Sequence, residues 1–225
     1  MNVKDIPIIM ISLRDRKDRT EAGIKNFAAA GITNYKIYYG FNGKTLGVKT
    51  DLCYTWDHPN GDSLLCETCK QKIGYRISDG ICGCALSWMG LIKHCIMEDY
   101  SEVLILEDDY CPPPNFMNVF SDLYSRLPTD YELFILNYCC EESGGKADFI
   151  ANGVGRYPNG TLCTDAMLWT KSSLQFVDAC PEIQKLDWPW DINLHGRFYK
   201  GRKIYHAVPK LGYQLSANGQ IRSCM

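Results

Sequence analysis

The sequence predicts an α/β protein with a mostly parallel central sheet flanked by helices. Apolar runs without a polar break occur at 8–11, 103–106 and 133–136, as expected for strands that are buried on both faces. Segments with apolar residues at helical spacing separate these runs. Such alternation of strands and helices along 225 residues is typical of a sheet covered by crossover helices.

The boundaries of the elements follow from turn and cap signals. Gly31 ends the first helical pattern, Ser78 or Asp79 opens the long helix that precedes the second buried run, and Pro128 stops a third helix. The predicted order is strand 6–13, helix 15–31, strand 34–39, helix 77–100, strand 102–106, helix 115–128, strand 131–138, one or two strands within 155–170 with a turn at 158–160, helix 171–183, helix 189–201 and strand 203–209.

We interpret residues 1–225 as a single domain with an irregular, cysteine-rich insertion at about 44–75. The chain has twelve cysteines. A cluster of five within and after the insertion leaves structural zinc, a local disulfide and free thiols open; its members are Cys53, Cys66, Cys69, Cys82 and Cys84. Free thiols are the preferred reading, because the second cysteine pair has one intervening residue, which suits a tetrahedral site poorly.

Composition excludes some classes of function. The formal net charge is −2 and no basic stripe is present, so we expect no nucleic-acid partner. No apolar run reaches the roughly 20 residues that a transmembrane segment needs, and the N-terminus reads as a strand, not a signal peptide. We therefore expect a soluble cytoplasmic protein, or a lumenal one if the chain is a fragment.

A cluster of three acidic residues directly follows the strand at 103–106. Glu107, Asp108 and Asp109 end this strand, and three prolines at 112–114 stop regular structure behind them. Ligands of open α/β sheets bind beyond the carboxyl ends of the strands, and three adjacent carboxylates repel one another. A divalent cation that carries a ligand's phosphates is one answer. A solvated acidic turn is the alternative.

Six fragments in order resemble glycosyltransferase family 25, the group of bacterial lipopolysaccharide galactosyltransferases and animal collagen galactosyltransferases. They lie at 9–27, 38–44, 81–96, 103–116, 163–177 and 189–194. The fragment at 103–116, which contains the three acids, is close to the family's hallmark. The insertion at 44–75 has no counterpart in this resemblance.

The resemblance implies a GT-A fold, a UDP-sugar donor, either UDP-galactose or UDP-glucose, and Mn²⁺ or Mg²⁺ as cofactor. It also implies transfer with inversion to a glycan or protein acceptor, including a collagen-like one. On this basis the three acids are a version of the DxD motif. Asp109 is the expected metal ligand with Glu107 in support, and Asp108 and Glu107 are expected near the ribose.

Further donor contacts follow from the same resemblance. Leu13 and Arg14 are expected to flank the uracil, and Arg19 to pair with a phosphate or an acid. Asn42 and Gly43 form a turn that lets the backbone approach a ligand. An exposed helix start is the alternative for the arginines.

Gly83 and Ser87 lie one helical turn apart and face the same side of the helix. The glycine permits close approach of a ligand, and the serine can bond a ribose or a phosphate. Tight packing of the helix against its neighbours is the alternative for Gly83.

An inverting transfer needs a base that deprotonates the acceptor hydroxyl. Asp191 is the expected base, with Asp187 weaker and Asp165 next. Trp188 and Trp190 flank Asp191 and could pack against a sugar ring. Plain helix capping is the alternative for Asp191.

Two other classes of function stay open from the sequence. One is a metal-dependent nucleotidyltransferase or phosphohydrolase, which also places acids after a strand. The other is a non-catalytic, degenerate transferase that acts as a binding module. Turnover of sugar nucleotides against plain phosphate esters separates the enzymes, and tightly held zinc would favour the module.

Overall fold

The computed structural model of the protein describes residues 3–46, 79–139, 145–185 and 189–215. The strands are β1 Ile8–Ser12, β2 Lys36–Tyr39, β3 Glu102–Glu107, β4 Tyr110–Cys111, β5 Leu133–Ile135, β6 Asp148–Ala151, β7 Val154–Arg156, β8 Ala166–Thr170, β9 Ile204–Ala207 and β10 Tyr213–Gln214. The α-helices are α1 Lys17–Ala29, α2 Gly43–Leu46, α3 Asp79–Met97, α4 Phe116–Tyr124, α5 Lys171–Ala179 and α6 Trp190–Arg197.

Eight strands form the central sheet in the order β2-β1-β3-β8-β5-β9-β7-β6. β1 is parallel to β2 and β3, and β5 is parallel to β9. β8 runs antiparallel to β3 and β5, and β7 runs antiparallel to β9 and β6. All strands of this sheet except β8 and β7 therefore point the same way, which confirms the predicted mostly parallel α/β architecture.

The segment 155–170, predicted to hold one or two strands, covers two. Its two strands, β7 and β8, do not pair with each other, because β7 lies between β9 and β6 while β8 lies between β3 and β5. β6, α2 and the small antiparallel pair of β4 and β10 were not predicted. These elements are short, and their pairing is set by partners far away in the sequence.

The sheet separates two hydrophobic layers. On one face, Met10 packs with Phe27 of α1 and with Phe116 and Phe120 of α4. On the other face, a second cluster contains Ile9 of β1 and apolar residues of α3, α5 and α6, among them Trp88, Leu91, Leu174 and Leu194. Alternation along β1 thus sends successive side chains into opposite layers, and both faces are covered.

α3 is the most apolar helix in the described ranges. By length and composition alone it could cross a membrane, but half of its apolar stretch is buried inside the protein. Its buried residues include Ala85, Trp88 and Cys95, which pack against the sheet. This burial is what a core helix shows.

Residues 47–78, which hold most of the predicted insertion, lie outside the described residues, as do Cys53, Cys66 and Cys69. No disulfide joins two of the seven cysteines in the described ranges. The Sγ atoms of Cys139 and Cys163 lie 2.7 Å apart. Three of the five cysteines of the zinc hypothesis therefore lie outside the described residues.

Gly23 allows α1 to lie directly on the end of β3. A Cβ atom at this position would stand 2.8 Å from the carbonyl oxygen of Asp108 and 2.9 Å from the Met10 sulfur. Both distances are shorter than real Cβ contacts. The absent side chain therefore fixes how closely the helix approaches the acidic turn.

We predict that Gly23→Ala lowers the free energy of unfolding by about 1–3 kcal/mol, because overpacking at a backbone atom forces a shift. At an exposed helical site the same change would stabilise by about 1 kcal/mol. Urea denaturation measures the effect, and Glu21→Ala on the exposed side of α1 is the matched control. A gain in stability for Gly23→Ala would contradict the close approach.

Candidate functional site

A cavity of about 90 Å³ opens at the carboxyl end of β1 and β3, between α1 and α3. Ile11 of β1 pairs with Glu107 of β3, so the residues that follow both strands leave the sheet at the same edge. Seven of the predicted donor-site residues line the cavity: Leu13, Arg19, Asn42, Gly43, Ser87, Glu107 and Asp108. The sequence-based grouping is therefore brought together in space.

Arg19 of α1 provides a positive charge among the acids. Its Nε donates to Asp108 Oδ1 at 2.8 Å, and its Nη2 lies 2.5 Å from the same oxygen and 3.1 Å from Asp109 Oδ2. All three side chains are at least nine-tenths buried. A buried carboxylate needs a partner of this kind, so the expected pairing of Arg19 with an acid is present.

Asp108 is held from a second side by β1. Ser12 Oγ donates to Asp108 Oδ2 at 2.6 Å and also contacts Thr20 Oγ1 at 2.7 Å. Burial raises the pKa of Asp108, although Arg19 and the Ser12 hydrogen bond act in the opposite direction. Asp108 is thus a structural link between α1, β1 and β3 as well as a cavity wall.

Glu107 faces the other side of the turn. Its Oε1 accepts from Thr164 Oγ1 at 3.0 Å and from Trp88 Nε1 at 3.3 Å. Burial, followed by the charges of Asp109 and Asp165, raises the pKa of Glu107 to about 8. The charges of the two neighbouring carboxyl groups thus act on Glu107 in the same direction as burial.

Asp165 completes this group of carboxyls from the start of β8. Asn137 Nδ2 donates to Asp165 Oδ2 at 2.6 Å, and the Asp165 side chain is fully buried. Burial raises its pKa to about 7; the Asn137 hydrogen bond opposes the shift and the charge of Asp109 adds to it. Full burial makes Asp165 a poor candidate for a base that must meet an acceptor.

The carboxylate oxygens of this cluster are ligands of the kind that a hard divalent cation prefers. Glu107 and Asp109 offer oxygen ligands, and the charge of Asp109 adds to the effect of burial in raising the pKa of Glu107. Within the described ranges, no group of three or more His, Cys, Asp and Glu side chains could hold a metal alone. Magnesium is commonly held by one or two carboxylates plus substrate phosphates, so the set fits a cation that shares its ligands with a diphosphate.

The turn after β2 forms the opposite wall of the cavity. Asn42 accepts from the Lys44 backbone N–H at 3.0 Å and donates to Asp15. Ser87 Oγ accepts from the Phe41 backbone N–H at 2.7 Å and donates to the Gly83 carbonyl at 2.6 Å. The serine hydroxyl therefore fastens this turn to α3.

Gly83 has a packing role and is not among the cavity-lining residues. A Cβ atom there would stand 2.4 Å from the Gly43 nitrogen and 2.8 Å from the Phe41 carbonyl oxygen. The two glycines let α3 and the turn touch backbone to backbone. The structure thus places Gly83 behind the wall, in line with the packing alternative.

Leu13 and Arg14 diverge after β1. Leu13 lines the cavity, whereas Arg14 is not part of its lining. The Arg14 guanidinium lies 4.7 Å from the centre of the Tyr39 ring, in a cation–π contact at the end of β2. The structure therefore places Leu13 in the cavity wall and Arg14 against Tyr39, outside the lining.

Asp191 lies in the first turn of α6. Its Oδ1 accepts from the Ile192 backbone N–H at 2.9 Å, and its Oδ2 lies 3.4 Å from the Cys163 nitrogen. Thr164, the next residue, is the one that donates to Glu107. Asp191 and the acid cluster therefore contact adjacent residues of the chain. Asp187 and Trp188 lie outside the described residues.

Trp190 of α6 is core and not a free platform for a sugar. Its ring stacks on Trp88 with centroids 6.1 Å apart, and both rings are almost fully buried. Trp88 in turn lines the cavity and bonds Glu107. The stacked pair therefore fixes the start of α6 relative to the cavity.

Sequence reasoning missed several residues of the site: Ser12, Phe41, Cys84, Trp88, Asn137 and Thr164. Ser12 was foreseeable, since it is the last residue of a strand whose end reaches the site. Thr164 and Asn137 reach it through β8 and β5, whose places in the sheet depend on long-range pairing. No local signal marks them.

The fold and the site define a class: a GT-A-like α/β protein with paired acids at the carboxyl edge of its sheet. A family model for glycosyltransferase family 25 (LPS biosynthesis protein) matches residues 5–157. The chain belongs to this family. The match covers β1, α3 and the acid turn, so it includes the cavity described above.

One curated relative is "Putative glycosyltransferase R655" of Acanthamoeba polyphaga mimivirus, 27% identical over 138 residues. The match covers 60% of this chain and 38% of the relative. The chain thus corresponds to well under half of that protein's length.

Solved structures with a similar arrangement include a glycosyltransferase involved in glycosylation of the major capsid of PBCV-1, at a TM-score of 0.42 and 12% identity, covering 88% of this chain and 80% of that one. The galactosyltransferase LgtC, in complex with donor and acceptor sugar analogues, has a TM-score of 0.40 and 11% identity, with coverages of 88% and 73%. An apo UDP-glucose pyrophosphorylase has a TM-score of 0.47 and 10% identity, with coverages of 93% and 92%.

We predict that Arg19→Met lowers the free energy of unfolding by about 3–5 kcal/mol, because it leaves buried carboxylates without their counter-charge. Arg16→Met is the matched control at the start of the same helix. Arg16 pairs with Asp18 at 2.8 Å, but that pair is far more exposed, and exposed pairs contribute less than about 1 kcal/mol. Chemical denaturation compares the two variants, and equal losses would contradict a special role for the buried pair.

Proposed function

We propose that this protein is a metal-dependent, inverting glycosyltransferase. It moves a hexose, galactose or glucose, from the UDP-sugar to a hydroxyl group of a glycan or protein acceptor. The observation that carries this proposal is the convergence of Arg19, Asn42, Ser87, Glu107 and Asp108 on one cavity in a chain of glycosyltransferase family 25.

The cavity suits one end of the donor. Leu13 and Phe41 provide apolar wall, and Gly43 lines the same space. A volume of about 90 Å³ holds one ring of the donor and not the whole nucleotide sugar. We assign the uracil to this cavity and the ribose to its edge, nearest Asp108 and Glu107.

The diphosphate would then lie over the end of β3. Glu107 and Asp109 are the residues that would hold Mn²⁺ or Mg²⁺ there. The bound cation supplies Lewis-acid neutralisation of charge on the leaving diphosphate. Arg19 keeps Asp108 and Asp109 in place, so the acid turn is positioned before the donor arrives.

Asp191 is the proposed base. Its carboxylate is oriented by the Ile192 nitrogen and lies beside Cys163. It reaches the site from α6, whereas the acids 107–109 reach it from β3. An approach from a different element suits a base that takes the acceptor proton on the face opposite the leaving group.

A panel of UDP-sugars tests the proposal. Manganese-dependent release of UDP should be seen with UDP-galactose or UDP-glucose and not with plain phosphate esters, and the product should have an inverted anomer. Activity on phosphate esters alone would favour a phosphohydrolase. No turnover with any donor, together with no UDP binding, would favour a non-catalytic module.

We predict that Asp109→Asn abolishes manganese-dependent turnover of the donor while the protein stays folded. The substitution removes one formal charge from a site that needs negative ligands. Activity assays at increasing manganese, with a thermal melt as the folding check, measure both parts. Near-normal turnover in this variant would remove Asp109 from the metal site.

We predict that Asp191→Asn lowers the rate of transfer by about 10²–10⁴-fold while UDP-sugar affinity changes little, because a general base acts on the acceptor proton in the transition state. Initial rates and equilibrium donor binding separate the two effects. Asp122→Asn, at an exposed ion pair on α4, is the control and should leave both unchanged. A variant of Asp191 that mainly weakens donor binding would make this residue a donor contact.

A further inference from the structure

A second and much larger cavity lies in the other half of the sheet. Its volume is about 820 Å³, and its walls come from β6, β7, β9, the turn at 157–160 and the C-terminal end of α6. Ligand-binding clefts commonly measure 300–1,000 Å³. We call this the basic cleft, because its side chains include Arg156, Lys200 and Arg202 against a single acid, Asp148.

Two of these cations are not neutralised within the described residues. Arg202 pairs with Glu132 and stacks on Phe176 at 3.6 Å, so it is part of the scaffold. Arg156 bonds the Arg202 carbonyl at 3.0 Å and lies over the Tyr205 ring. No ion pair within 4.0 Å involves Arg156 or Lys200 in the described part of the chain.

The balance of charge in the cleft is therefore positive. Asp148 lies opposite Arg156 in the β6–β7 ladder, but the two side chains do not form an ion pair. Burial, together with the charge of Arg156, lowers the pKa of His206 to about 3, so this histidine is neutral. Among the lining residues, Asp148 is thus the one carboxylate that faces Arg156 and Lys200, which leaves an excess of positive charge.

Polar and aromatic groups of the cleft suit a sugar. The rings of Tyr157 and Tyr199 both line it. The Tyr199 hydroxyl is buried and has no hydrogen-bond partner in the described ranges, which is rare in folded proteins. Flat aromatic faces beside polar groups are typical of saccharide sites.

α6 connects the basic cleft with the donor cavity. Asp191 lies in the first turn of the helix, and His195 lies one turn later on the same side. Tyr199 lies two residues after the end of the helix. Both His195 and Tyr199 line the cleft. Trp190, the residue before Asp191, stacks on Trp88 of the donor cavity. The helix that carries Asp191 therefore contacts one space at its start and lines the other at its end.

We propose that the basic cleft binds the acceptor, and that this acceptor is a saccharide with an acidic substituent, a phosphate or a carboxylate, held by Arg156 and Lys200. The acceptor role rests on the proposed glycosyltransferase function. The preference for negative charge does not, because it follows from the side chains of the cleft. The acceptor's reactive hydroxyl would point along α6 toward Asp191.

Binding of three matched probes to the full chain tests the proposal. The probes are lactose, sialyllactose and lactose phosphate, which share one disaccharide. Lactose is uncharged, sialyllactose carries a carboxylate, and lactose phosphate carries a phosphate. We expect at least one charged probe to bind about tenfold or more tightly than lactose, since hydrogen bonds to charged groups are the stronger kind. The preference should shrink when salt is raised to several times the physiological level.

Variants of the two exposed cations give the control. Arg156→Gln and Lys200→Gln should each reduce binding of the preferred charged probe by about tenfold, with lactose binding, UDP binding and the melting temperature unchanged. Lys25→Gln, on the exposed side of α1, removes the same charge elsewhere and should change none of these. Which charged probe responds identifies phosphate or carboxylate as the preferred group.

Three results overturn the proposal: equal binding of lactose and the charged probes, no binding of any probe, or the same loss in Lys25→Gln as in Lys200→Gln. Failure of the proposed function looks different. If no UDP-sugar is turned over but the charged probes still bind through Arg156 and Lys200, the anion site stands and its acceptor role is overturned. If UDP-hexose turnover is present without a charge preference, only the inference about the acceptor fails.

Discussion

The ion pairs between Arg19 and the two aspartates, Asp108 and Asp109, are the interaction on which the site depends. A strand buried on both faces ends in three adjacent acids, which would repel one another in a dry environment. The guanidinium from α1 makes this turn compatible with burial. It also fixes α1 against β3, where Gly23 leaves room for the close approach.

The position of the smaller cavity, at the carboxyl end of β1 and β3, follows from these ion pairs. With α1 and the end of β3 fixed, the remaining walls come from the turn after β2 and from α3, which Ser87 fastens together. Trp88, one residue later, bonds Glu107 and stacks on Trp190. The acid turn, the donor cavity and the start of α6 are therefore parts of one connected packing arrangement.

The same arrangement separates two kinds of electrostatic environment. The end of β3 concentrates carboxyl groups, whose charges add to the effect of burial in raising the pKa of Glu107 and Asp165, so it favours cations. The cleft beside β7 and β9 concentrates positive side chains, so it favours anions. Asp191 lies on α6, whose first residue stacks on Trp88 of the smaller cavity and whose end lines the basic cleft.

The sequence by itself determined the alternation of strands and helices, the acids at the end of β3, and seven of the residues that line the smaller cavity. Those features are local. Buried strands require unbroken apolar runs, helices require apolar residues at helical spacing, and side chains that follow parallel strands must meet at one edge of the sheet. Only the tertiary structure decided that Arg19 is the counter-charge of the acids, that Gly83 lies behind the cavity wall, and that Thr164, Asn137 and Trp88 belong to the site. It also decided the basic cleft, because Arg156 and Lys200 are brought together by the pairing of β7 with β9 and by the direction of α6. Contacts between segments so far apart depend on the register of the whole sheet, which no short stretch of sequence encodes.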